Sequence, residues 1–220
     1  MTERVWHDVD DYINGLVIDR DDALDRVLAS TVQAGLPEIN VAPNQGKFLN
    51  LIARIHGARK ILEIGTLAGY STIWLARALP ADGRLITLEA DPHHADVASQ
   101  NIAAAGLADR VEVRVGKALD TLPALESEGP FDLFFIDADK VNNPAYFRWA
   151  VDHSRPGSVI IVDNVVRGGL VLDAGSSDPS VIGTRELGAL IAKESRVSAT
   201  MVQTVGGKGY DGFALALVTG

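Results

Sequence analysis

The chain has no cysteine among its 220 residues. That absence excludes a disulfide framework, a thiolate nucleophile and a Cys-ligated zinc or iron–sulfur site, and it fits the reducing cytosol. Positive charge is also scarce. Twenty Lys and Arg face 29 Asp and Glu, for a formal net charge of −9. A polyanion such as DNA or RNA calls for a basic face, so nucleic acid is not an expected partner. No apolar run is long enough to span a bilayer. The first ten residues are acidic and lack the apolar stretch of a secretory signal, which points to the cytoplasm. There is no internal repeat and no low-complexity tract, and the five histidines show no ligand spacing.

What is present is a large apolar fraction, 47% of the chain, enough for a sizeable core. The length suits one α/β domain, expected to span residues 1–220 with a helical extension over about 1–57. Within that extension, 21–34 carry Leu24, Val27, Leu28 and Val32 near a helical period. A second helix is expected over 44–56, with Phe48, Leu49, Ile52 and Ile55 on one side, Pro43 at its entry and Gly57 at its exit.

The pattern then changes. Short apolar runs at 60–64, 84–89, 111–115, 131–136 and 158–162 alternate with helical stretches at 71–79, 92–105, 118–125 and 144–154. The run 131–136 is nearly continuous in apolar residues, as in a strand buried on both faces of a parallel sheet. Such alternation predicts βαβ units and a doubly wound, Rossmann-like sheet with helices on both faces. Two last strands, at 200–205 and 213–218, flank the Gly-rich segment 206–212 and predict a closing antiparallel pair.

Two constellations carry chemistry. The first runs from Ile61 through Glu63, Gly65 and Gly69 to Ser71, a strand passing through a glycine turn into a helix. Glycine lets a backbone approach a ligand closely, and a helix start offers free N–H groups to an anion. Ser71 is placed either to cap the helix or to meet that ligand. With only Gly65 and Gly69, the G-x-G-x-x-G diphosphate fingerprint is incomplete, which counts against NAD. The next strand ends in Glu89, placed either in solvent or to accept from ribose hydroxyls. Loop and acid together suit an adenosine-containing ligand. Glu63 lies inside an apolar strand, where an unpaired carboxylate is costly. It is expected to accept from backbone N–H groups of the loop.

The second constellation lies at the ends of the next two strands, at Asp137-Ala138-Asp139-Lys140 and at Asp163-Asn164. Ligands of open α/β sheets bind beyond the carboxyl ends of the strands. If these strands are neighbours, Asp137, Asp163 and Asn164 converge as three oxygen donors without His or Cys. That set suits Mg²⁺, with Mn²⁺ or Ca²⁺ accepting the same donors. A cation beside Lys140 would favour its neutral amine, a general base toward a hydroxyl. A strand-end Asp that merely caps the next segment, and a solvated lysine, are the alternatives for single residues.

These residues resemble a known family. Glu63-Ile64-Gly65-Thr66 with Gly69-Tyr70-Ser71, Phe135-Ile136-Asp137-Ala138-Asp139-Lys140 and Val162-Asp163-Asn164-Val165 look like the cation-dependent class I O-methyltransferases of the catechol and caffeoyl-CoA type, in their bacterial form. The resemblance runs from about Gln45 to the C-terminus. It implies a seven-stranded, mostly parallel sheet with the last strand antiparallel. It implies S-adenosylmethionine bound by Glu63, Gly65, Gly69, Ser71, Glu89, Ala118 and Asp137, with Glu89 on the ribose and Ala118 by the adenine. It also implies a metal on Asp137, Asp163 and Asn164, Lys140 as base, a small hydroxylated acceptor and a homodimer. Arg167, Lys208 and Tyr210 are candidate acceptor contacts. Two positions depart from the common pattern: Arg167 stands where many relatives have Trp, and Asn143 where many have Tyr. A Rossmann-type oxidoreductase and a non-catalytic binding module on the same fold are the competing classes. His93, His94, Trp74 and Trp149 are expected to be solvated or core residues.

Overall fold

Parallel strands that are apolar on both sides need cover on both faces, and the chain supplies it in two helical layers. The computed structural model describes residues 3–220; Met1 and Thr2 lie outside the described residues. Three helices come first: α1 (Glu3–Val17), α2 (Asp22–Gln33) and α3 (Pro43–His56). Then follow β1 (Lys60–Ile64), α4 (Tyr70–Ala76), β2 (Arg84–Glu89), α5 (Pro92–Ala104), β3 (Val111–Val115) and α6 (Ala118–Thr121). The rest is β4 (Leu133–Ile136), α7 (Asn143–Asp152), β5 (Val159–Asp163), α8 (Pro179–Ile191), β6 (Val197–Gly206) and β7 (Gly209–Val218). Short 3₁₀ turns occupy Leu122–Glu128, Lys140–Asn142 and Arg167–Leu172.

The seven strands form one sheet in the order β3-β2-β1-β4-β5-β7-β6. Strands β1 to β5 are parallel, and β7 runs antiparallel to both β5 and β6. The order reverses between β1 and β4, so the switch point, where such sheets bind ligands, lies at the ends of these two strands.

Alternate residues of each strand feed opposite cores, as the pleat requires. Ile61, Leu133 and Phe135 join the core built with α2 to α5. Leu62, Ile64, Phe134 and Ile136 join the core built with α7 and α8. The early helices lie on this framework. α2 packs on α4 and α5, α3 packs on α4, and α1 lies over β6.

The expected strands at 60–64, 84–89 and 111–115 have those bounds in the structure. Other expectations are corrected. On α2 only Leu24 and Val27 of the expected face are buried; Leu28 and Val32 are exposed. On α3, Ile55 is 81% exposed. Phe131 and Asp132 precede β4; Asp132 accepts from the Arg59 and Lys60 N–H groups at 2.8 and 2.9 Å and so ties β1 to β4. The expected loop 206–212 shrinks to a tight turn, because β6 and β7 pair all the way to Gly206 and Gly209. Among the described residues no helix is long and apolar enough to cross a membrane.

Candidate active site

β1 ends at Ile64, and Gly65 turns the chain with φ +102°. A Cβ on Gly65 would lie 2.3 Å from the Asp137 carbonyl oxygen, so only glycine lets β1 and β4 close at this height. Gly69, at φ +88°, caps α4. Between them the loop is gripped by Glu89 at the end of β2. Its Oε2 accepts from the Thr66 and Leu67 N–H groups at 3.2 and 2.8 Å, and its Oε1 from Asp91 N–H at 3.0 Å.

Backbone support was expected of Glu63, and the structure corrects this. Glu63 is fully buried and is met by side-chain hydroxyls instead. Ser71 donates at 2.6 Å and Thr87 at 2.7 Å, with Thr72 on the same oxygen as Thr87. Burial pushes the Glu63 carboxyl up to about 7 against these three donors, and the Asp137 charge adds to the rise. Ser71 therefore does not cap α4; its hydroxyl serves Glu63. Thr72 and Thr87 carry no motif signal and only the packed structure brings them to the acid.

On the other side of the switch point, β4 and β5 pair with Ile136 opposite Val162. One residue further on, Asp137 and Asp163 stand side by side at the strand ends. Lys140 Nζ donates to Asp137 Oδ1 at 2.8 Å. Asp163 Oδ2 accepts from Gln45 Nε2 at 2.7 Å, and its Oδ1 from Asn164 N–H at 2.8 Å. Burial first, and then the Asp137 charge, push the Asp163 carboxyl up to about 7. Asn164 holds a left-handed backbone at φ +58°.

One cavity of about 1060 Å³ joins the two constellations. Gly65, Ser71, Glu89 and Ala118 line its first half; Asp137, Lys140, Asp163, Asn164, Arg167 and Lys208 line its second. Three of the expected site residues are not on its wall. Glu63 lies beneath it, Gly69 supports the turn, and Tyr210 points its hydroxyl to Gln203 on β6. Sequence reading missed several wall residues. Gln45 enters from the first turn of α3. Asp139 accepts from the Tyr146 hydroxyl at 2.6 Å, and burial and this carboxylate together push that hydroxyl above its usual range. His94, expected in solvent, lines the cavity with Nδ1 3.7 Å from Glu89. Trp74 is buried in the core, as expected.

A family model described as O-methyltransferase matches residues 16–217. The chain belongs to the O-methyltransferase family. Similar proteins include the catechol O-methyltransferase of Niastella koreensis, 54% identical over 99% of this chain and 100% of that one. The catechol O-methyltransferase of Mycobacterium tuberculosis is 54% identical over 96% and 95%. Among solved structures, an O-methyltransferase from Bacillus cereus in complex with SAH superposes with a TM-score of 0.98 at 58% identity, over 99% and 100% of the two chains. TomG of Streptomyces achromogenes, an O-methyltransferase involved in tomaymycin synthesis and solved with SAM, gives 0.97 at 50% identity over the whole of both chains. The methyltransferase is thus an enzyme of the O-methyltransferase family, and the oxidoreductase alternative falls away.

Proposed function

We propose that the methyltransferase moves a methyl group to one hydroxyl of a small vicinal diol, catechol-like in form, at a site that also takes a divalent cation. The observation that carries this is the convergence of Asp137, Asp163 and Asn164 with Lys140 in one half of the cavity. The donor set is all oxygen, as Mg²⁺ or its neighbours prefer. The cation fits an electrostatic need of the chain itself. Two adjacent carboxylates repel, and Asp163 is pushed up for that reason as well as by burial. The names of the two catechol O-methyltransferase relatives support the acceptor class.

When bound, S-adenosylmethionine supplies an electrophilic methyl, and a divalent cation would lower the pKa of a hydroxyl on it. The protein's own residues do the rest. Gly65 lets the end of β1 close against the Asp137 backbone, and Glu89 holds the loop that shapes the donor half. Lys140 takes the proton of the reacting hydroxyl. Its amine donates to Asp137, so the proposed cation would compete with it for the same carboxylate. Enclosure of donor and acceptor in one cavity makes their encounter effectively unimolecular.

The test is transfer of labelled methyl from S-adenosylmethionine to catechol and caffeic acid, with Mg²⁺ and with EDTA. Metal-dependent transfer supports the reading. Transfer that continues undiminished in EDTA overturns the cation, and absence of transfer to every diol overturns the acceptor class.

A further inference from the structure

The acceptor half of the cavity holds two cations that no carboxylate answers. Among the described residues Arg167 and Lys208 take part in no ion pair. Lys208 donates only to the Glu38 carbonyl, at 3.1 Å. The Arg167 Nε is buried and has no hydrogen-bond partner. A buried donor left unmet is costly and asks for an explanation.

Arg167 is also built into place. It holds a left-handed backbone at φ +55°, a strained state for a large side chain. Asp211 on β7 fixes it there, its Oδ1 accepting from the Val166 and Arg167 N–H groups at 2.9 and 3.0 Å. Gly168 and Gly169 continue the turn at φ +62° and +92°. The same β6–β7 hairpin carries Lys208 to this end of the cavity. Strain held by a dedicated carboxylate is characteristic of residues that meet ligands. The acids that follow β4 and end β5 are otherwise engaged. Asp137 bonds Lys140, Asp139 bonds Tyr146 and Asn142, and Asp163 bonds Gln45.

We propose that the acceptor is an anion: a dihydroxylated aromatic acid whose diol lies by Asp163 and Asn164 and whose acid group is received by Arg167, with Lys208 adding charge at the mouth. The planar guanidinium offers a carboxylate a matched pair of donors. Arg167 is then the residue that sets specificity within the diol class. This rests on the diol reading of the site given above. A phosphate carried by a CoA thioester presents the same chemistry, so the test separates the two sources.

The experiment compares kcat/KM for neutral catechol, 3,4-dihydroxybenzoate, caffeate and caffeoyl-CoA, all with saturating S-adenosylmethionine and Mg²⁺. The wild type favours the acids over catechol. Arg167→Gln lowers that ratio by about tenfold to a hundredfold, through KM for the acid, as loss of a charged hydrogen bond does. Arg167→Lys keeps the charge without the fork and recovers part of the ratio. Arg26→Gln, on an exposed face of α2, leaves it unchanged. A Lys208→Gln loss that fades with added salt marks a screened, longer-range contribution. Preference for caffeoyl-CoA over caffeate that Arg167→Gln abolishes assigns the anion to phosphate and overturns the carboxylate assignment. Equal use of catechol and the acids by the wild type, or a ratio untouched by Arg167→Gln, overturns it while leaving the diol reading intact. Transfer to none of the four removes the diol reading, and this proposal with it.

Discussion

Gln45 Nε2 donates to Asp163 Oδ2 at 2.7 Å across 118 residues of sequence. The bond turns one oxygen of the Asp163 carboxylate toward α3 while the Asn164 N–H holds the other. Gln45 is itself set by its neighbour: its N–H donates to Asn44 Oδ1 at 2.9 Å, and Asn44 Nδ2 donates to Asp10 on α1 at 2.8 Å. A line of hydrogen bonds therefore runs from the first helix to the proposed cation site. Residues that orient a metal ligand typically contribute about 10- to 100-fold in affinity. Gln45→Met, which keeps the bulk and removes the donor, weakens Mn²⁺ binding by that order, read by electron paramagnetic resonance. SAH affinity stays at the wild-type value, and excess metal restores kcat. Unchanged Mn²⁺ affinity in the variant would show that this bond is only structural.

Lys140 carries the proton transfer in the proposed mechanism. Lys140→Met lowers kcat by roughly 10²–10⁴, the range for loss of a positioned acid or base. Binding of SAH and Mn²⁺ persists, measured by calorimetry. A raised pH recovers part of the rate, because the acceptor hydroxyl then ionises without help. Wild-type kcat in this variant would remove Lys140 from the chemistry.

Gly65 is where β1 passes the backbone of Asp137. Gly65→Ala puts a methyl 2.3 Å from a carbonyl oxygen that cannot rotate away, on a backbone at φ +102°. Strain of this kind costs about 1–3 kcal/mol. Tm falls by roughly 5 °C, and SAH affinity falls with it because the donor loop and Asp137 move together. Gly35→Ala, with φ +69° and open space around it, costs less. Equal losses in the two variants would refute the steric account.

Glu63 couples the donor half to pH. Its carboxyl is pushed up to about 7 by burial, from an ordinary value of 4.5. Between those values the folded chain keeps a proton that the unfolded chain has lost. Stability therefore falls as pH rises through this window, and the loss is complete above about pH 7. Asp163, also raised to about 7, adds a slope of the same sign in the same window. Glu63→Gln removes its own share, so the variant gains on the wild type from about pH 5 to about pH 8, by on the order of 3 kcal/mol at most. Urea unfolding at several pH values, without metal or SAH, measures the gap. A gap that stays constant with pH would mean that Glu63 is ionised in the fold.

Local patterns were enough for much of this architecture. β1, β2 and β3 are legible because a strand buried on both faces must be apolar along its length. The acids at 89, 137 and 163 are legible because polar residues at the carboxyl ends of such strands face the ligand edge. The three motifs together sufficed to place the chain in its family. Tertiary structure decided what local patterns cannot carry. Leu28, Val32 and Ile55 keep a helical period yet are exposed, since the partner element, not the period, determines which arc of a helix is covered. The hydroxyls of Ser71, Thr72 and Thr87 reach Glu63 because β1, β2 and α4 pack together there, while the loop N–H groups go to Glu89. Tyr210 turns to Gln203, and Lys208 two residues before it lines the cavity, because the hairpin register sets their faces. Gln45 reaches Asp163 only once α3 is seated against the sheet edge. Position along a strand follows from sequence; the partner of a polar side chain follows from packing, because its hydrogen bond is made to whatever the fold brings within 3 Å or so.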